Sequence, residues 1–206
     1  MNIETALIAY IVAAALMTIT PGLDTAMVLR TAAVDGPRRG ALAALGIICG
    51  CLVWGLAVAL GLGVLLAASQ SAYTVLKWAG AAYLAWLGIG LLLKPRAAFD
   101  LSAARGPPRR NWWLRGFVTN LLNPKVGVFY VSFLPQFVPA HVAPAPFMML
   151  LAGIHGVLGA IWFAGLITAT KPLKRWLQRA AVVRWLDRVT GVVFLGFGLR
   201  LALDRH

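Results

Sequence analysis

Two short stretches bring together residue types that can do chemistry, in places where polar groups are expensive. "TITPGLD", Thr18 to Asp24, and "TNLLNPK", Thr119 to Lys125, each lie inside a long apolar run. In the first, Thr20, Pro21, Gly22 and Asp24 set a helix break beside a carboxylate. In the second, Asn120, Asn123, Pro124 and Lys125 set two amides and an ammonium around another break. Proline removes a backbone N–H and drives the residue before it out of the helical region. Gly22 adds freedom at the same point. A helix that stops near Thr20 and restarts near Leu23 leaves carbonyls without donors and N–H groups without acceptors. In hydrocarbon each such group costs several kcal/mol, so it persists only where protein, water or a ligand satisfies it.

That set of groups suits a small zwitterion. The restarted helix N-terminus carries partial positive charge and can seat a carboxylate, with Lys125 as a second cationic partner. An α-ammonium would meet Asp24 and the orphaned carbonyls. Structural roles compete with this reading. Asp24 can stabilise the first turn of its helix, Asn123 can cap the helix after its break, and Lys125 can snorkel to an interface or pair with Asp24. Ionisable groups at membrane depth are functional by default, which favours the binding reading. His155, between Gly153 and Gly156, reads first as a hydrogen-bonding residue between helices. With Asp24 it is also a candidate for proton coupling, because imidazole titrates in the relevant range.

The elements that must position these groups follow from composition. The chain has 206 residues, 61% hydrophobic and 12% charged, with mean hydropathy +0.82. A soluble domain carries about a quarter charged residues. An integral membrane protein is implied instead. Six apolar segments stand out, at about 3–33, 40–68, 73–93, 112–138, 146–170 and 186–203, against a need of about 20 residues per span. The first has no basic stretch before it and no small-residue cleavage site after it, so it reads as a retained span. The connections are short, and residues 1–206 read as a single transmembrane transporter domain.

Charge sets the orientation. The connection near 30–40 holds Arg30, Arg38 and Arg39. The one near 94–115 holds Lys94, Arg96, Arg105, Arg109, Arg110 and Arg115. The one near 171–188 holds Lys171, Lys174, Arg175, Arg179, Arg184 and Arg188. The intervening connections hold Lys77 alone and, in "QFVPAHVAPAP", none. Alternate basic loops predict six spans with both termini outside. The net charge of +13 is thereby assigned to anionic lipid head groups, not to nucleic acid. Cys49 and Cys51 face different sides of a helix and support neither a disulfide framework nor a metal site; no cofactor is implied.

The chain also repeats itself. "GAAYLAWLG", 80–88, matches "GVVFLGFGL", 191–199; "GIICGCLVWGLA" from Gly46 resembles "GIHGVLGAIWFAGL" from Gly153; Pro124 follows Pro21 by 103 residues. Three spans per repeat is odd, so the halves must be inverted. The expected fold is all-α: six transmembrane helices as two inverted three-helix repeats, about 1–95 and 112–206, with helices one and four broken at Pro21 and Pro124. Inverted repeats with matched breaks mark secondary transporters and point to the binding site. Glycine stripes, Gly46/Gly50 and Gly80/Gly88/Gly90, are expected where helices approach closely. Trp112, Trp113, Trp176 and Trp185 fall near predicted boundaries, where aromatic belts form.

In these features the chain resembles the LysE/RhtB family of bacterial amino-acid exporters (LysE-type translocators). The resemblance is carried by "TPGLD" at 20–24, "GALAALGIICG" at 40–50, "KWAGAAYLAWLG" at 77–88, "RGFVTNLLNPK" at 115–125, "FLPQFV" at 133–138 and "LDRVTGVVFLGFGLRL" at 186–201. It implies a secondary exporter of amino acids or related metabolites, coupled to the proton gradient, in the bacterial cytoplasmic (inner) membrane, where the outside termini would be periplasmic. Leu23 stands where the family pattern usually has a second proline, which predicts a milder break. The partners implied are an amino acid or amino-acid-like small molecule, protons, membrane lipids and, as one open assembly, a homodimer. The rival readings are a passive channel, or a transporter for another small solute or ion, and a membrane-embedded enzyme. No ring-like filter motif supports the channel. For an enzyme the chain lacks a nucleophile–base cluster, and His141 and His206 fall outside the expected spans.

Overall fold

The computed structural model describes residues 2–68, 70–95, 111–169 and 179–203, all of them helical or in connections, with no strand among them. Trp176, His206 and most of the basic connections 94–115 and 171–188 lie outside the described residues. The helices are α1 (Ile3–Ile19), α2 (Leu23–Val34), α3 (Pro37–Ala68), α4 (Gln70–Leu93), α5 (Trp112–Leu121), α6 (Pro124–Val128), α7 (Pro144–Thr168) and α8 (Ala180–Leu203). After α6 the chain stays helical but changes pitch, first a π-helical turn at Phe129–Phe133 and then a 3-10 turn at Leu134–Phe137.

Local chemistry accounts for the ends. Asn2 starts α1 by accepting from the Thr5 N–H at 2.8 Å, and Asn111 does the same for Leu114 at the head of α5, at 3.0 Å. Between α2 and α3 the chain reverses at Gly36, whose φ of 98° lies in the left-handed region glycine tolerates. Pro37 then opens α3, where its missing N–H costs nothing. Pro135 cannot donate to the carbonyl four residues back, which fits the irregular pitch of the segment containing it. The predicted break in the first segment falls at Thr20–Gly22, and α1 and α2 are bent by 53° across it. A single proline followed by Leu23 therefore suffices for a sharp bend.

Helix packing rests on backbone approach at small residues. α3 and α5 run parallel: Gly46 lies against the Trp113 carbonyl and the Phe117 N–H, and Gly116 against the Ala43 carbonyl. α3 and α7 run antiparallel, with Gly55 against Ala152 and Gly156 against Ile48. α4 and α8 are antiparallel as well. A Cβ on Gly88 would sit 2.8 Å from the Gly191 carbonyl oxygen, and a Cβ on Gly191 would sit 2.8 Å from that of Gly88. Gly90 takes no part in such a contact, having nothing within 4 Å of its Cβ position.

The aromatic core lies where α1, the irregular segment and α7 meet. Tyr10, Phe129, Tyr130, Phe133 and Phe137 are all fully buried; ring centres of Tyr10 and Phe137 stand 5.3 Å apart, and those of Phe129 and Phe133 5.0 Å. The outside is apolar too: Ile8, Val12, Leu60, Val157, Ile161 and Val192 are exposed. An outer surface this apolar is suited to lipid. Among the described residues, Pro37–Gly61 and Pro144–Thr168 are long and apolar enough to cross a membrane, at mean hydropathy 2.4 and 2.0, and the bent pair α1–α2 passes jointly.

A candidate substrate cavity between two helix breaks

The end of α1 and the start of α2 form one wall of an open cavity of about 490 Å³, counted with its mouth. Met17 would in an unbroken helix offer its carbonyl to the N–H of residue 21. That residue is proline, so the carbonyl has no helical donor. Thr20 is extended, at φ −68° and ψ 116°, which turns its carbonyl out of the helical ladder. Both oxygens are taken by Lys125, whose Nζ donates to Met17 O at 3.0 Å and to Thr20 O at 2.8 Å. The Thr20 hydroxyl bonds the Leu16 carbonyl at 2.6 Å and also pairs with the hydroxyl of Thr190 on α8.

The second break is closed differently. Asn123 is the N-cap of α6, its side chain accepting from the Lys125 N–H at 3.1 Å. Pro124 opens that helix. Its missing N–H would orphan the Asn120 carbonyl, but the Asn123 N–H reaches that oxygen at 3.0 Å. The carbonyl orphaned by Pro124 is thus met by nearby backbone, and the one orphaned by Pro21 by a lysine from the opposite half of the chain. The helix that starts at Pro124 holds regular α pitch for five residues before the π-helical turn.

Asp24 sits in the first turn of α2, half-buried, facing the cavity. Its Oδ2 accepts from Asn120 Nδ2 at 2.8 Å. Its Oδ1 is buried and has no hydrogen-bond partner among the described residues. Asn120 is fully buried and makes a second contact to Cys51 Sγ at 3.4 Å, so it stands behind the carboxylate and holds it. Gly22, the N-cap of α2, has no side chain to occupy the first-turn N–H groups. Across the cavity His155 bonds Tyr130 through Nδ1, at 3.0 Å from the hydroxyl oxygen. The remaining walls are apolar or small: Ile47, Ile48, Val126, Gly156, Gly159 and Phe163.

Of the residues singled out in the sequence, Thr20, Gly22, Asp24, Asn123, Lys125 and His155 line this cavity. Pro21 is buried at the break and Asn120 is buried behind Asp24. Asn120 and Asn123 belong to different elements, since α5 ends at Leu121 and Asn123 caps α6. Lys125 differs from expectation: it is engaged with the carbonyls foreseen for a ligand's ammonium. Tyr130, Cys51 and Thr190 were not foreseen. Tyr130 is turned inward by a π-helical turn that no residue pattern announces. Cys51 and Thr190 are polar groups inside apolar spans, the signal that could have marked them.

A family model for LysE type translocators matches residues 15–205. The chain is 31% identical to the homoserine/homoserine lactone efflux protein of Salmonella typhi, covering 96% of each chain. It is 31% identical to the leucine efflux protein of Klebsiella pneumoniae, over 94% of this chain and 92% of the relative. It is 30% identical to the threonine efflux protein of Salmonella typhi, over 90% and 92%. No solved structure matches the chain significantly. A match along nearly the whole length, on an all-helical fold with apolar outer faces, places this chain in the LysE family of translocators.

Proposed function

We propose that the protein is a secondary active exporter of neutral amino acids or related small zwitterions across the bacterial inner membrane, driven by the proton gradient. The observation that carries this reading is the pairing of a buried, unpartnered carboxylate oxygen, Asp24 Oδ1, with the uncapped N-terminus of α2 in one cavity. The substrate ammonium would bind Asp24, and its carboxylate the first-turn N–H groups of α2. With Lys125 held on the carbonyls, the cavity offers little further charge for a charged side chain, while Ile47, Ile48 and Phe163 suit an apolar or short one. The homoserine, leucine and threonine efflux relatives point the same way.

Two inverted three-span repeats are supported by the helix directions. Spans two and five (α3, α7) and spans three and six (α4, α8) pack antiparallel, and spans two and four (α3, α5) parallel, as six alternating crossings require. Basic residues at alternate connections support an orientation with both termini on the periplasmic side. Flux from reconstituted proteoliposomes tests the function. Saturable efflux of leucine, threonine or homoserine that accelerates with an imposed pH gradient is expected. Flux indifferent to that gradient removes the coupling, and equal export of lysine removes the neutral-substrate reading.

A further inference from the structure

Lys125 does the work of a bound ion. The oxygens of Met17 and Thr20 converge on one nitrogen, at 3.0 and 2.8 Å. Both belong to the negative end of α1, where partial charge accumulates on carbonyls without helical donors. Two such oxygens at a broken helix end are the ligand set that an ammonium or a small monovalent cation seeks, and discontinuous helices in transporters use it for coupling ions. At the second break the carbonyl that proline would orphan, that of Asn120, is already served by the Asn123 N–H. The cation therefore comes from one half of the chain and its seat from the other. At the position matching Lys125 in the first repeat stands Gly22, and the lysine stem passes over it, with Cδ 3.6 Å from where a Cβ would be.

We propose that Lys125 is a tethered cation filling a monovalent-cation site at the end of α1, so that the protein works without a bound inorganic cation. Removing its side chain opens that site to alkylammonium ions and Na⁺. The site adjoins the cavity under Proposed function, and only the flux measurements below rest on that reading.

The experiment uses purified Lys125→Ala protein, its thermal unfolding followed by tryptophan fluorescence in N-methylglucamine chloride. Propylammonium, which replaces the deleted atoms, or Na⁺ is then titrated in. A saturable rise on the order of 3 °C is expected in the variant and none in the wild type. In proteoliposomes the same ion should restore flux several-fold in Lys125→Ala, while wild-type flux is unchanged when Na⁺ is exchanged for N-methylglucamine. Lys125→Met fills the space without charge and should stay inactive with or without either ion. If Lys125→Ala does not fold, Lys125→Met and Lys125→Arg carry the test: flux retained by the methionine variant overturns the proposal, and flux retained by the arginine variant alone supports it. An unfolding temperature unmoved by both ions overturns it, as does a wild type that needs Na⁺. A stability shift without any wild-type flux keeps the tethered cation and removes the exporter; flux without the shift does the reverse.

Discussion

Asp24 is the residue on which the proposed mechanism turns. One oxygen is held by Asn120 and the other is buried without a partner among the described residues. Leaving such an acceptor unpaired costs about 1–3 kcal/mol, a cost a substrate ammonium or a proton would relieve. Asp24→Asn keeps the shape but cannot bind and release a proton. This variant is expected to lose uphill, pH-driven export and to retain some exchange between compartments at equal pH. Reconstituted Asp24→Asn protein that still concentrates substrate would leave Asp24 as a helix-terminus residue only. Asn120→Ala is a milder change, since it frees the carboxylate without removing it. Weaker export at normal membrane abundance is expected, and unaltered export would show that Asp24 needs no holder.

The sequence made these groups legible one by one. Proline, glycine, asparagine and a carboxylate inside hydrocarbon each break a local rule, and rule-breaking residues are where function concentrates. What it hid was who bonds whom. Lys125 and Met17 are more than a hundred residues apart, and whether an ammonium turns toward a carboxylate, a carbonyl or the interface is decided by packing. Tyr130 stayed hidden for a related reason, because its direction depends on a π-helical turn.

At the scale of elements, close helix contacts keep the cavity walls in register. Gly46 and Gly116 bring α3 and α5 to backbone contact, and a Cβ on either would overlap main-chain atoms that cannot swing away. Gly50 does something else, making room for the Asn120 side chain, whose Oδ1 would lie 2.5 Å from a Cβ there. The two kinds of glycine therefore predict different defects. Gly46→Ala or Gly116→Ala should destabilise by about 1–3 kcal/mol, as overpacking does, seen as a lower unfolding temperature in detergent. Gly50→Ala should displace Asn120 from Asp24 and lower export more than it lowers stability. Equal loss of both properties in all three variants would argue that the contacts only hold the bundle together. The glycine stripes were visible as patterns, but the sequence could not say that α5 is the partner of both Gly46 and Gly50.

Among the described residues the outer faces are apolar and the buried polar side chains are few, while the basic residues of the sequence gather at alternate connections. Tertiary packing and loop charge are independent sources for the same arrangement. Antiparallel packing of α3 with α7 and of α4 with α8 requires an even number of crossings between the members of each pair, two in the six-span reading. With arginines at 30, 38 and 39 against a charge-free "QFVPAHVAPAP", the orientation we propose has the α2–α3 connection in the cytoplasm and the α6–α7 connection in the periplasm. Three crossings separate the two connections in the six-span reading. Arg39 and Ala143 are exposed at these sites, so a single cysteine at either can be reached by a thiol reagent. Cys49 and Cys51 lie within α3, and the unaltered chain serves as the control. In intact cells a membrane-impermeant maleimide should label Ala143→Cys and spare Arg39→Cys until the membrane is opened. Labelling of both from outside would break the six-span reading, and labelling of Arg39→Cys alone would invert it. Inversion would leave the cavity chemistry intact but place both termini in the cytoplasm, against the pull of the basic loops.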